Sequence, residues 1–157
     1  MYKIISCRFG KKSEVLELEN LKLETLQDLV SGLIEVVPLS ENDKILLVCN
    51  EEGWLRNMNA NRVVFNADTD EFLSVIAGDF LILSEKENEE GELEFSGIED
   101  ENILEKYYYK YYYPQHVLKT NLGEVIGVPY EPDIKTKEYN PEIDGHLVEA
   151  VDILDDL

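Results

Sequence analysis

The stretch Leu23–Gly53, LETLQDLVSGLIEVVPLSENDKILLVCNEEG, decides the fold. It reads as an amphipathic helix running directly into a two-stranded hairpin. Leu26, Leu29, Val30 and Leu33 recur at helical spacing and line one face with aliphatic carbon. Thr25 and Asp28 form a T-x-x-D pair of the kind that satisfies amide donors at a helix start, and Gly32 is the expected stop. Beyond it, Leu33–Leu39 and Lys44–Asn50 are rich in β-branched residues, and Ser40-Glu41-Asn42-Asp43 supplies turn chemistry between them. Ile45–Cys49 is apolar without a break, as expected of a central strand covered on both faces. Leu29, Val30, Val36, Leu46, Val48 and Leu81 are the expected core.

Working outward, Tyr2–Phe9 predicts a first strand, and Val15, Leu16 and Leu18 a second. Trp54–Asn61 is too rich in asparagine for a helix, Val63–Phe65 is a short strand or helical turn, and Phe72–Ile76 leads into a strand at Asp79–Leu83. Glu85–Phe95 is a charged hairpin or loop around Glu90-Gly91. Ser96 and Glu99 make an S-x-x-E box opening a helix over Ile98–Tyr113, stopped by Pro114. Val117–Tyr130 suits a hairpin about Asn121-Leu122-Gly123, Glu131–Gly145 a loop, and Leu147, Val151 and Leu154 a short final helix. The fold class is therefore α+β: a small mixed or antiparallel sheet packed by a central helix, with a tyrosine-rich second helix and a short C-terminal one. A core domain is expected over residues 1–113 and an extension, packed on or next to it, over 114–157.

The pattern L-x-x-L-Q-x-L-V-x-G-x-I-E-V-V-P-L, carried by Leu23, Leu26, Gln27, Leu29, Val30, Gly32 and Ile34–Leu39, resembles the domain-of-unknown-function family 3846 of phages and other mobile elements. Asn50–Gly53, Asn61 and Arg62 continue the match, and I-A-G-D-F-L-I-L at Ile76–Leu83 is similar to the family's closing strand. The resemblance covers roughly residues 1–110. Ser31 departs from it, and nothing beyond Tyr113 has a counterpart. It implies a fold and a mobile-element setting, hence a host cytoplasm, and brings no catalytic residues.

Charge is the chain's outstanding property. Its 157 residues hold thirty-four acids and fourteen bases, a net of −20. Residues 1–85 carry −7 of this and the rest −13. Such a surface repels nucleic acid and anionic membranes and attracts basic partners, though solubility alone would also account for it. The apolar runs are too short to span a membrane, and Met1–Gly10 lacks a signal-peptide layout. Cys7 and Cys49 lie in strand-like runs and suit buried free thiols in a reducing cytosol.

Two surfaces stand out. Acids recur at Glu85, Glu87, Glu90, Glu92 and Glu94, then at Glu99 and Asp100, and close the chain at Asp152, Asp155 and Asp156. Along an extended ribbon, alternate carboxylates lie about 6.5–7 Å apart, near the spacing of successive phosphates. A solvated loop is the plain reading of any one run. Tyr107–Tyr113 places six tyrosines around a helix; Leu104, Tyr107, Tyr108 and Tyr111 can share a core face, leaving Tyr109, Tyr112 and Tyr113 as contact residues or as cover for a returning tail.

Catalytic and metal signatures are poor. Asn66-x-Asp68-x-Asp70 begins like a calcium loop, but Glu71 and Ala77 stand where glycine and glutamate are needed. His116 and His146 lack ligand partners at usable spacing. The chain is expected to be no enzyme, to need no cofactor, and to act as a stoichiometric anti-defence inhibitor of a basic host nuclease, such as a CRISPR effector or restriction enzyme, without binding nucleic acid or membrane itself. One alternative is a module sequestering a nucleotide signal through Asn50, Glu51, Asn61 and Arg62. Another is a phage interaction or assembly protein. Self-association into a homodimer is left open.

Overall fold

The computed structural model describes residues 1–132. Strands β1 (Tyr2–Cys7) and β2 (Glu14–Leu18) form an opening hairpin, followed by helix α1 (Leu23–Val30) and the hairpin β3 (Ile34–Ser40) and β4 (Ile45–Asn50). The chain continues through β5 (Ala60–Phe65), β6 (Phe72–Ala77), β7 (Phe80–Glu87), β8 (Leu93–Ser96), helix α2 (Glu101–Lys110), β9 (Gln115–Lys119) and β10 (Val125–Pro129). The main sheet runs β2-β1-β7-β4-β3, wholly antiparallel, with β8 on the distal half of β7. β5–β6 and β9–β10 are separate two-stranded hairpins. The fold is thus α+β and mostly antiparallel.

β4 and β7 explain why the sheet is the centre. Every residue of β4 is buried. Alternation sends Leu46 and Val48 to one face and Ile45, Leu47 and Cys49 to the other. The first face, with Ile4, Leu81 and Leu83, packs under Leu26 and Val30 of α1. The second, with Ile5, Cys7, Phe80 and Ile82, packs under Leu104, Tyr107 and Tyr111 of α2 and under Val64 and Ile76 of β5–β6. Each such aliphatic side chain contributes about 1.5–3 kcal/mol on full burial. Cys7 and Cys49 are free thiols, pushed up to about 12 and about 11 by burial.

Several local expectations are corrected. Thr25 does not cap α1: its hydroxyl donates to Asn20 Oδ1 at 2.6 Å, and the same oxygen accepts the Lys22 amide, so the loop before the helix is tied by Asn20. Ser31, not Gly32, ends the helix in the left-handed conformation (φ 65°), and both amides there reach the Gln27 carbonyl. Leu33 therefore lies past the helix and is 54% exposed. Leu29 is only half-buried at the flank of the core, and Val36, on the edge strand β3, is 39% exposed. Phe72–Ile76 leads into β7 as expected, but it is a strand of its own, β6, paired with β5, and Gly78 (φ 86°) turns the chain from β6 into β7. α2 starts three residues later than expected and ends at Lys110, with Tyr111 as its C-cap. Asp100 caps it, accepting from the amides of Asn102 and Ile103, while Ser96 belongs to β8.

The hairpin about Asn121–Gly123 is present as β9–β10, and it rests on β5, where the Val63 amide donates to Gln115 Oε1. The expected final helix lies outside the described residues, as do Asp152, Asp155 and Asp156.

Candidate partner-binding surface

The antiparallel pairings bring the starts of β1 and β4 and the ends of β2, β3 and β7 to one end of the main sheet. The acids of the chain's middle collect there. The Ser40–Asp43 turn contributes Glu41 and Asp43, the β7–β8 hairpin reaches outward from it, and α2 begins beside it, where Glu101 meets Lys3 at 3.4 Å. Glu87, Glu90, Glu92, Glu94, Glu99 and Asp100 are all exposed, and Glu85 is half-buried.

The Asn66–Glu71 loop is a turn closed by Asn66 Oδ1, which accepts from the Asp68 and Thr69 amides. It delivers the Asp68 carboxylate to the same end, where it accepts from the Ser40 hydroxyl at 2.7 Å and from the Glu41 and Asn42 amides. These bonds, the Ser40 hydroxyl first, hold Asp68 below the usual carboxylate range. Asp43 Oδ2 accepts from Lys106 Nζ and the Tyr107 hydroxyl, both at 2.8 Å, and the Lys106 bond leads in keeping it ionised. Tyr107, chiefly through burial and also beside that carboxylate, is pushed up from its ordinary value.

The β7–β8 register divides the acidic ribbon. Glu85 pairs with Phe95 and Glu87 with Leu93, so these four share the face that carries α1; Glu94 pairs with Lys86 on the other face. The evenly spaced row of carboxylates expected of a ribbon is therefore only two residues long, since β7 ends at Glu87. What remains is a field of negative charge rather than a phosphate-like ladder.

The tyrosines lie elsewhere. α2 rises about 15 Å over its ten residues, away from the acidic end. Its last turn packs on the β1–β2 connection, where Ser13 donates to the carbonyls of Tyr108 and Tyr112. Tyr108, Tyr109, Tyr112 and Tyr113 form one aromatic cluster with neighbouring rings 4.9–6.0 Å apart, and Lys12 lies 5.2 Å from the Tyr112 ring. Tyr109 is 65% exposed, Tyr113 is exposed and Tyr112 half-buried. The acidic cluster and the exposed tyrosines thus lie toward opposite ends of the main sheet.

Asn50, Glu51, Asn61 and Arg62 are not brought together as a ligand site. Asn50 donates to the Val30 carbonyl at the end of α1 and accepts the Glu52 amide, and Glu51 is exposed beside it. Asn61 donates to the carbonyls of Cys7 and Gly78. Arg62 is fully buried and donates to Asn61 Oδ1 and to the carbonyls of Lys11 and Tyr111. Burial lowers its pKa from the ordinary value. Three of the four are spent on the fold. Among the described residues no cluster of three or more His, Cys, Asp or Glu side chains is placed to hold a metal, and no helix is long and apolar enough to cross a membrane.

The sequence reading missed the apolar half of the acidic hairpin. Glu92-Leu93-Glu94-Phe95 alternates with period two, which signals a strand with one greasy face as clearly as it signals acids.

Fold and surface together define a small, mostly antiparallel α+β domain with an acid-rich end. The chain belongs to the family described as Domain of unknown function (DUF3846), whose model matches residues 2–111. No curated protein and no solved structure matches it.

Proposed function

We propose that the protein is a non-catalytic, stoichiometric inhibitor, carried by a phage or mobile element, that covers a basic nucleic-acid channel of a host nuclease with the acidic end of its main sheet. The observation that supports this is the gathering of acids: carboxylates from three connections and the first turn of α2 meet at one end, where they outnumber the cations Lys3, Lys44, Lys86 and Lys106. A field of one sign, concentrated on one face, speeds and orients encounter with a basic surface and excludes nucleic acid from it. Because the hairpin splits its acids between two faces, the inhibitor acts through overall potential rather than through copied phosphate spacing. The exposed tyrosines, at the far end, take no part in this contact.

The test is competition on a purified CRISPR effector or restriction enzyme. Inhibition should weaken as salt rises, and the triple variant Glu87→Lys, Glu92→Lys, Glu94→Lys should inhibit at least tenfold less while melting like the parent. Simultaneous binding of nucleic acid and this protein to the nuclease, or full inhibition by the triple variant, would overturn the reading.

A further inference from the structure

α1 is too short for the sheet it covers. Its eight residues span about 12 Å, whereas the eight residues of β7 extend about 27 Å. Leu26 and Val30 cover the half of the face around Ile4, Val48 and Leu81. The other half, toward the acidic end, stays open as a groove of about 520 Å³ between the loop before α1 and the β7–β8 hairpin. Its apolar lining comes from Tyr2, Leu21, Leu46, Leu93 and Phe95. Leu93 is 65% exposed on strand β8, whose outer edge pairs with no strand among the described residues. Glu19 and Glu85 stand around this lining, and Glu87 follows Glu85 on the same face of β7, against a single lining cation, Lys22.

The geometry points to a docking groove for an extended, basic segment of a partner protein, with one aliphatic or aromatic side chain seated against Leu93 and Phe95 and lysines or arginines on either side. Charge complementarity selects this occupant: three carboxylates ring an apolar floor, so an acidic or neutral segment loses what a basic one gains. The inference rests on the proposed function, of which it names the contact: the acidic end would grip a loop of its target as well as repel nucleic acid from it.

Three end-blocked nonapeptides test it against the full-length protein: lysine alternating with leucine, lysine alternating with serine, and glutamate alternating with leucine. Fluorescence anisotropy and amide chemical shifts are the readouts. The Lys–Leu peptide should bind at least about tenfold more tightly than the Lys–Ser peptide, the gain expected from burying one leucine. Its shifts should centre on Tyr2, Leu21, Leu46, Leu93 and Phe95, and the Glu–Leu peptide should not bind. Leu93→Ser, an exposed position that should leave melting unchanged, should close the gap between the two basic peptides. Equal affinity of the two basic peptides, indifferent to Leu93→Ser, would overturn the groove and leave the acidic surface as a purely electrostatic contact. Binding of the Glu–Leu peptide as tight as that of Lys–Leu would overturn the choice of a basic occupant. Absence of binding by either basic peptide would remove both the groove and the charge-driven reading beneath it.

Discussion

Arg62 closes the end of α2 by donating twice to the carbonyl oxygen of Tyr111, from Nε at 3.2 Å and from Nη2 at 3.1 Å. Nη2 also reaches the Lys11 carbonyl at 2.7 Å and Nη1 the Asn61 side chain at 2.6 Å, so one planar group ties together α2, the β1–β2 connection and β5. A buried cation met by carbonyl dipoles at a helix C-terminus complements the helix dipole there.

Arg62→Ala should therefore cost about 3–5 kcal/mol in urea unfolding, because it opens a cavity and leaves several buried acceptors unpaired. Arg62→Lys should recover only a small part, since an ammonium cannot reproduce the fork. A loss under about 1 kcal/mol would show that water replaces the guanidinium. The same result bears on ligand sequestration: a variant that unfolds cannot report on a binding role for Arg62.

The helix–hairpin unit was legible because its signals are local. A run of β-branched residues, a polar turn and 3.6-residue periodicity are written in neighbouring positions, and β3, the turn and β4 appear within a residue of where they were expected. The helix phase was less so. Leu26, Leu29, Val30 and Leu33 make an equally good stripe on paper, but the left-handed Ser31 ends the helix before Leu33, and only Leu26 and Val30 point squarely at the sheet. The role of Arg62 was illegible for a different reason: its partners Lys11 and Tyr111 are some fifty residues away on each side, and a buried arginine bonded to carbonyls leaves no pattern of opposite charge in the chain. The separation of tyrosines from acids is likewise a consequence of the direction in which α2 crosses the sheet.

Leu26→Ala should destabilise the protein by about 2–5 kcal/mol, while Leu29→Ala should cost clearly less, about 1 kcal/mol, because Leu29 loses only part of a buried surface. Thermal or urea unfolding of the two variants decides between the helix phase seen here and the stripe centred on Leu29. Equal losses would mean that α1 sits on the sheet through a wider face.

Acid should unfold this protein through the acidic end, by way of Asp43. Lys106 and the Tyr107 hydroxyl both donate to Asp43 Oδ2 and hold its pKa below the ordinary 3.8. A group whose pKa is lower folded than unfolded binds fewer protons in the folded state. Its contribution is then complete above the unfolded value and disappears as pH falls through the folded one. Stability attributable to Asp43 should thus begin to fall near pH 3.8 and be gone below its lowered folded value. Asp68, depressed chiefly by the Ser40 hydroxyl, adds a loss of the same sign in the same window. The net charge of −20 works the opposite way at higher pH, since protonating unpaired surface carboxylates first relieves their mutual repulsion. The melting temperature should accordingly rise slightly as pH drops from neutrality and then fall steeply below pH 3.8. Asp43→Asn keeps the shape and a hydrogen-bond acceptor but removes the titration, so it should lower the melting temperature at pH 7 and make the decline below that point shallower. Parallel curves for parent and variant across the acid range would show that Asp43 does not couple folding to protons, and the Lys106–Asp43 contact would then be only a solvated surface pair.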